Sequence, residues 1–261
     1  MPAATVTMTT MPSSESLIVP DWPAPAAVRA LLTTRRGGVS RPPYASLNLG
    51  DHVGDDRLAV AANRALLRGA LVGGGDPCWL NQVHGTRVVD AAACSPGDAP
   101  ERADASFARD KGVVCVVMTA DCLPVLFCDD AGSVVAAAHA GWRGLLAGVL
   151  EATVAAMGVA APTLLAYLGP AIGPRAFEVG DEVRSAFVAA DAALAAAFTP
   201  AQPGKWLADI YLLARLRLAA LGLARVYGGD FCTYCDADRF FSYRRDAQTG
   251  RMASMIWLTA D

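Results

Sequence analysis

The chain carries three histidines, His52, His84 and His139. Two stand in glycine-flanked polar stretches, Asn81-Gln82-Val83-His84-Gly85 and Ala138-His139-Ala140-Gly141. Loops at strand ends of this kind are where catalytic groups concentrate. Cys122 falls between two apolar runs, Val113–Met118 and Leu123–Cys128. A third run, Ser133–Ala138, follows the turn residues Asp129-Asp130-Ala131-Gly132. If the hairpin turns on Asp130-Ala131, Cys122 lies directly opposite His139, with Cβ atoms about 4.5–5.5 Å apart. If it turns on Ala131-Gly132, the pair becomes diagonal, at about 7–8 Å. Either register lets the two side chains converge on one ion, with His84 arriving from a separate strand end. Each residue taken singly is of a type that packs cores or decorates surfaces, so the pairing is what singles out the set.

A Cys-His-His set favours zinc among the common metals. Three protein ligands leave a fourth position for water or substrate, which is the catalytic pattern rather than the structural one. Asp121, beside Cys122, is a candidate to orient a ligand or act as a general base. In Gly141-Trp142-Arg143-Gly144, Arg143 and a following helix N-terminus offer an anion site, phosphate being the obvious guest. Arg35, in the cationic glycine loop Thr33–Gly38, could meet the same anion. Phe240-Phe241-Ser242-Tyr243-Arg244-Arg245 offers aromatic stacking for a base and charge for phosphate. Cys232-Thr233-Tyr234-Cys235 is a lone CxxC without the second pair of a four-cysteine zinc site. It also lacks the H-x-E and P-C-x-x-C of nucleobase deaminases, since Phe231 stands where proline is required. We read it as a reduced pair packing near the site. No Walker loop or dinucleotide fingerprint is present.

The elements that must position these groups follow from pattern. Asp55-Asp56 before the amphipathic stretch Arg57–Ala70 predict a helix ended by Gly73-Gly74-Gly75. Short strands are expected at Cys78–Val83 and Arg87–Ala92, with a loop over Pro96–Arg102. The valine-rich runs Val113–Met118, Leu123–Cys128 and Ser133–Ala138 predict buried strands. Helices are expected at Leu145–Met157, Asp181–Phe198 and Leu207–Leu221. Further strands are expected at Thr163–Leu168, Ala224–Tyr227 and Ala253–Leu258. Alternation of this kind makes an α/β chain with one mixed domain over residues 19–261, after a disordered tail over 1–18.

Composition bounds the function classes. Of 261 residues, 54% are hydrophobic and 18% charged, enough for a sizeable core. The net charge of −3, without a basic block, gives no electrostatic footprint for nucleic acid or anionic lipid. The first residues lack the basic and apolar regions of a signal peptide. The most apolar window, Ala155–Gly173, contains Pro162 and Pro170, which a spanning helix tolerates poorly. Seven cysteines, an odd count, do not read as a disulfide framework and favour a cytoplasmic setting with reduced thiols.

Several motifs in one order carry a resemblance. They are Thr34-Arg35-Arg36-Gly37-Gly38-Val39-Ser40, Ser46-Leu47-Asn48-Leu49-Gly50 and Asn81-Gln82-Val83-His84-Gly85. Thr119-Ala120-Asp121-Cys122-Leu123-Pro124, His139-Ala140-Gly141-Trp142-Arg143-Gly144 and Gly169-Pro170-Ala171-Ile172-Gly173 follow. Cys232-Thr233 and Phe240-Phe241-Ser242-Tyr243-Arg244 close the series. From about Thr33 to Leu258 the chain resembles the YfiH-like family, long labelled laccase-domain or polyphenol oxidase proteins. The resemblance implies a single α/β domain with Zn2+ at His84, Cys122 and His139. It implies phosphorolysis of purine nucleosides (adenosine, inosine, guanosine and methylthioadenosine) and deamination of adenosine. Arg35, Asn48, Gln82, Asp121, Arg143 and Arg244 stand at family motif positions. We take Asp121, Arg143 and Arg35 as catalytic candidates, and Asn48, Gln82 and Arg244 as substrate-binding candidates. The expected partners are a purine nucleoside and phosphate, with no nucleic acid and no membrane. The family's older label points instead to copper, yet three histidines cannot build a multicopper cluster within one chain. Other readings are a zinc or cysteine hydrolase editing a peptidoglycan precursor, and a non-catalytic binding protein.

Overall fold

A computed structural model describes residues 16–259 apart from 96 and 98. The expected tail lies outside the described residues up to position 15, and so do Pro96 and Asp98 of the expected loop. The tail's last two residues, Leu17–Ile18, form an edge strand paired to Leu32 and Thr33.

Two sheets lie face to face with helices outside them. The first has five strands, in the order Leu17–Ile18, Val28–Thr33, Met252–Leu258, Val114–Thr119 and Pro77–Cys78. The second has six, in the order Arg225–Gly228, Leu164–Leu168, Leu123–Asp129, Val135–Ala140, Ala105–Ala108 and Val88–Asp90. Strand alternation sorts the side chains into layers. Val114 and Val116 face the helix Arg57–Ala70, while Cys115 and Val117 enter the interface between sheets. Val135 and Ala137 share that interface, and Ala136 and Ala138 face the helices Val149–Met157 and Ile210–Ala220. Strands covered on both faces have no polar side, which is why these segments read as continuous apolar runs. No helix is long and apolar enough to cross a membrane among the described residues.

The helix Arg57–Ala70 matches its sequence expectation, capped by the Asp56 carboxylate on the Leu58 N–H. Its buried face holds Val60, Asn63, Leu66 and Leu67, a helical spacing. The other three expected helices depart from their expected bounds for local backbone causes. Gly148 is left-handed at φ 102°, so Leu145–Met157 is split into Trp142–Ala147 and Val149–Met157. Asp191 is extended and caps a 3-10 turn, so Asp181–Phe198 stops at Ala190. Asp209 caps the helix Ile210–Ala220, and residues Lys205–Ala208 before it are a strand. The strand expected at Cys78–Val83 stops at Cys78, and Arg87–Ala92 keeps only Val88–Asp90 before a 3-10 turn.

The expectation of uniformly reduced thiols is corrected at one place. Cys78 and Cys94 form a disulfide, their Cα atoms 5.5 Å apart, while Cys115, Cys122, Cys128, Cys232 and Cys235 are free. Cysteine counting could not foresee it, because the partners meet only when the strand at Pro77–Cys78 and the 3-10 turn Ala91–Ala93 fold together.

Asn63 turns the helix Arg57–Ala70 into a clamp for the glycine loop. Its Nδ2 donates to Ser40 Oγ (2.9 Å), Ser46 O (3.2 Å) and Asn48 O (2.8 Å), and its Oδ1 accepts from Val39 N at 2.8 Å. Deleting it leaves several buried partners unsatisfied, each costing about 1–3 kcal/mol. Asn63→Ala should therefore lower unfolding stability by about 3 kcal/mol in urea denaturation. A loss below about 0.5 kcal/mol would rule the clamp out.

Candidate metal centre

The hairpin adopts the second of the two registers considered. Leu123 pairs with Ala140 and Pro124 with His139, so Cys122 sits diagonally to His139 just outside the strand. Asp121 makes the tight turn into that position with φ 90°, an uncommon conformation for a residue with a Cβ. His84 is also left-handed, at φ 61°. Strained backbone of this kind persists where surrounding contacts hold it, and it gathers at functional sites.

The ligand atoms of His84, Cys122 and His139 all lie within 4.8 Å of one another. Cys122 Sγ is 3.8 Å from His84 Nε2. Donor atoms on a tetrahedral zinc lie about 3.4–3.7 Å apart, so the set needs only a small contraction. The burial is graded: His139 is buried, Cys122 half-buried and His84 exposed. The cluster thus has a closed floor and an open mouth. Gly141 lies against it. A Cβ there would stand 2.8 Å from His84 Cδ2 and 3.0 Å from Cys122 Sγ, so a glycine is required for the ligands to approach.

What holds the ligands is Asp104, which sequence reasoning missed. It is fully buried and immediately precedes the strand Ala105–Ala108, where Ala105 pairs with Ala138. That register sets Asp104 beside His139, and Asp104 Oδ1 lies 2.8 Å from His139 Nδ1. The bond leaves Nε2 to face Cys122. The same carboxylate accepts from the backbone N–H groups of Val83 (3.1 Å), His84 (2.8 Å) and Gly85 (2.7 Å). One aspartate therefore orients one ligand ring and fixes the loop carrying another, the arrangement that tunes metal sites. Burial opposes its ionisation, but the hydrogen bonds from His139, Gly85 and His84 and the His139 charge hold its carboxyl below the ordinary value. Burial likewise opposes the Cys122 thiolate, yet the His139 charge and the bonds from both histidines bring its pKa down to about 6. His139 moves the opposite way: burial lowers it, but Cys122 and Asp104 outweigh that and raise it to about 9. Cys122 is therefore a thiolate at neutral pH, the state a metal needs, whereas the metal-free His139 ring holds a proton that an incoming metal must displace.

The remaining sequence candidates fall into two groups. Asp121 is buried beside the cluster with both oxygens engaged, Oδ1 by Thr233 Oγ1 (2.7 Å) and Oδ2 by the Arg244 N–H (2.6 Å). Thr233 ties the CxxC loop to the site through this bond, a second contact that the sequence did not signal. Arg35 donates to the carbonyls of Ala45 and Ala237, both at 3.0 Å, and its guanidinium lies over the Phe241 ring. Arg143 is exposed and stacks on Trp142 at 4.3 Å. Arg244 donates to Glu178 O at 2.8 Å.

Gln82 and Asn48 are committed to the backbone. Gln82 spans both polar groups of Met118, at 2.8 and 2.7 Å, like an extra strand residue. Fully buried Asn48 accepts from Gly50 N and Arg251 N and donates to Gly50 O and Asp55. Phe240 and Phe241 do not form a stacking platform. Both are fully buried in a small cluster with Ala120 and Met252, whereas Tyr243 is 61% exposed and open to stacking.

Paired sheets carrying a Cys-His-His cluster backed by a buried aspartate define a mixed α/β protein with a metal-type site. The sequence model of the multi-copper polyphenol oxidoreductase laccase family matches residues 29–259, and the chain belongs to that family. A purine nucleoside phosphorylase of Pseudomonas aeruginosa is 60% identical over 242 residues, covering 92% of this chain and 98% of its own. The Escherichia coli purine nucleoside phosphorylase YfiH is 59% identical over 243 residues, covering 93% and 98%. The crystal structure of Neisseria meningitidis protein NMB0706 matches with a TM-score of 0.90 at 54% identity, over 94% of this chain and 100% of that one.

Two measurements check the centre. In metal-free protein, ultraviolet thiolate absorbance should titrate one cysteine with a midpoint near 6 instead of the ordinary 9.0. Metal affinity should fall as pH drops below about 9, where protons compete for the His139 ring, and more steeply below about 6, where they also compete for the thiolate. The absence of any thiol titrating below the ordinary 9.0 would contradict the pairing. Asp104→Asn should keep the fold and weaken zinc binding by about 10–100-fold in chelator competition. Unchanged affinity would remove Asp104 from the account.

Proposed function

We propose that the protein is a zinc-dependent purine nucleoside phosphorylase that also deaminates adenosine. The observation that carries this reading is the His84, Cys122 and His139 cluster in a chain 60% identical to a protein named purine nucleoside phosphorylase. Adenosine, inosine, guanosine and methylthioadenosine are the proposed nucleosides, phosphate the co-substrate and the cytoplasm the setting. Zinc fits the donor set by type and spacing, and when bound it supplies a Lewis acid able to polarise a phosphate or water oxygen.

In phosphorolysis, a phosphate oxygen bonds to C1′ of the ribose as the C1′–N9 bond breaks. Its electron pair leaves with the purine, which takes up a proton. The products are the free base and ribose 1-phosphate, or the 5-methylthio analogue of that sugar phosphate from methylthioadenosine. We assign Arg143 to neutralising phosphate, since its exposed guanidinium keeps its donors available. Arg35 acts with it by tying together the separate loops of Ala45 and Ala237. Asp121, holding Thr233 and the Arg244 backbone, positions the two loops that carry them beside Cys122. Asn48 and Gln82 shape the substrate pocket through the backbone they hold. In deamination, water supplies the oxygen that replaces the C6 amino group, which leaves as ammonia.

One observation favours a second reading. Asp104, His139 and Cys122 stand in the order orienter, base and nucleophile, which suits a cysteine hydrolase acting on an amide such as a peptidoglycan precursor. Phosphate dependence separates the two. Adenosine and inosine turnover by zinc-quantified protein, followed by product chromatography, should yield adenine, hypoxanthine and ribose 1-phosphate only when phosphate is present. Some inosine should appear from adenosine without it. Cys122→Ala should abolish both reactions and release the metal. No turnover by folded, zinc-loaded protein would overturn the proposal and favour the hydrolase.

A further inference from the structure

Arg251 belongs to none of the roles assigned above. It immediately precedes the strand Met252–Leu258, whose Met252 pairs with Thr119, so continuing the register sets Arg251 opposite Ala120. Asp121 and Cys122 follow directly. Its position is fixed from three sides. The backbone N–H donates to Asn48 Oδ1 at 2.9 Å. The side-chain stem passes so close to Gly50 that a Cβ there would meet Arg251 Cγ at 2.8 Å. Nη1 donates to the carbonyls of Thr249 (2.9 Å) and Gly250 (3.1 Å). Nε and Nη2 have no hydrogen-bond partner among the described residues, and no carboxylate there lies within ion-pair distance. Two other partly buried arginines are paired, Arg217 with Glu151 and Arg64 with Asp51. Burial lowers the guanidinium's pKa, while negative charge at Cys122 and Asp121 acts on it in the opposite sense.

A partly desolvated, unpaired cation is expensive to keep, and its cost falls when an anion binds. The free edge of a guanidinium also matches two phosphate oxygens in a fork geometry that an ammonium cannot copy. We propose that Arg251 is a phosphate-binding residue of this site, seating the anionic co-substrate beside the His84, Cys122 and His139 cluster. This rests on the phosphorylase reading. It explains why Asn48, which touches no open surface, belongs to the site's machinery: its side chain sets the backbone from which Arg251 projects. It also explains the glycine at position 50, which clears the path of the arginine stem.

The test compares zinc-quantified wild type, Arg251→Gln and Arg251→Lys, with phosphate varied at saturating inosine and inosine varied at saturating phosphate. One charge-assisted contact of about 1.5–3 kcal/mol corresponds to roughly 10–100-fold. Arg251→Gln should raise the phosphate KM by that factor, leave the inosine KM within about twofold and keep wild-type zinc content. Arg251→Lys, which keeps the charge and loses the fork, should fall between. An unchanged phosphate KM, or an equal rise in both KM values, would overturn the proposal. Calorimetric titration of the zinc-loaded proteins with inorganic phosphate separates this inference from the reading beneath it. If wild type lacks phosphorolysis yet binds phosphate, and Arg251→Gln does not bind it, the phosphorylase reading fails while the anion site stands. Equal binding by both, or none by wild type, overturns the site itself. If Arg251→Gln does not fold, the Lys variant decides alone, by the same two KM values.

Discussion

Asp104 is a carboxylate with no solvent exposure, and a buried charge is tolerated only where donors surround it. Here the donors are the very groups that the site must place: the ring of His139 and the backbone of Val83, His84 and Gly85. Breaking that set leaves a buried anion uncompensated, so the ligand geometry and local stability are one interaction. The sheet register supplies the aspartate, because Ala105 pairs with Ala138 and brings residue 104 beside residue 139. The turn at Asp121 supplies the thiol between two strands of different sheets. Cys122 therefore joins the site at the connection between the two sheets.

A second layer of polar contacts surrounds that core. Gln82 and Asn48 imitate backbone partners, Asn63 reaches from its helix into the glycine loop, and Asp121 collects Thr233 and the Arg244 amide. Most of the polar motif residues thus build the walls. Arg143 and Arg251 keep guanidinium donors without a hydrogen-bond partner among the described residues. A site with rigid walls and sparse open cations suits recognition of a small, doubly charged anion, because the donors need no reordering as charge develops.

The legible parts of the sequence were those governed by local periodicity. Arg57–Ala70 showed its helix through an acid cap and a helical apolar face, and the valine runs showed their strands through composition. The Cys122 and His139 pairing was legible to within one hairpin register, because the turn residues Asp129 to Gly132 permitted two. Asp104 was not, since its meaning comes from a neighbour 35 positions away across a strand pair. Gly148 and Asp191 defeated the helix boundaries because apolar alanine-rich sequence continued through them. Phe240 and Phe241 read as open to a base, but they fill the small core under the site that their own loop creates. The Cys78–Cys94 bridge depended on two short segments meeting, a fact of topology alone.

Anomalous X-ray scattering at the zinc edge, from crystals of protein purified without added metal, addresses the central claim most directly. The account predicts one peak at the convergence of His84 Nε2, Cys122 Sγ and His139 Nε2, about 2.0–2.1 Å from each nitrogen and about 2.3 Å from sulfur. No peak there after zinc soaking, or a peak at Cys232 and Cys235 instead, would contradict it.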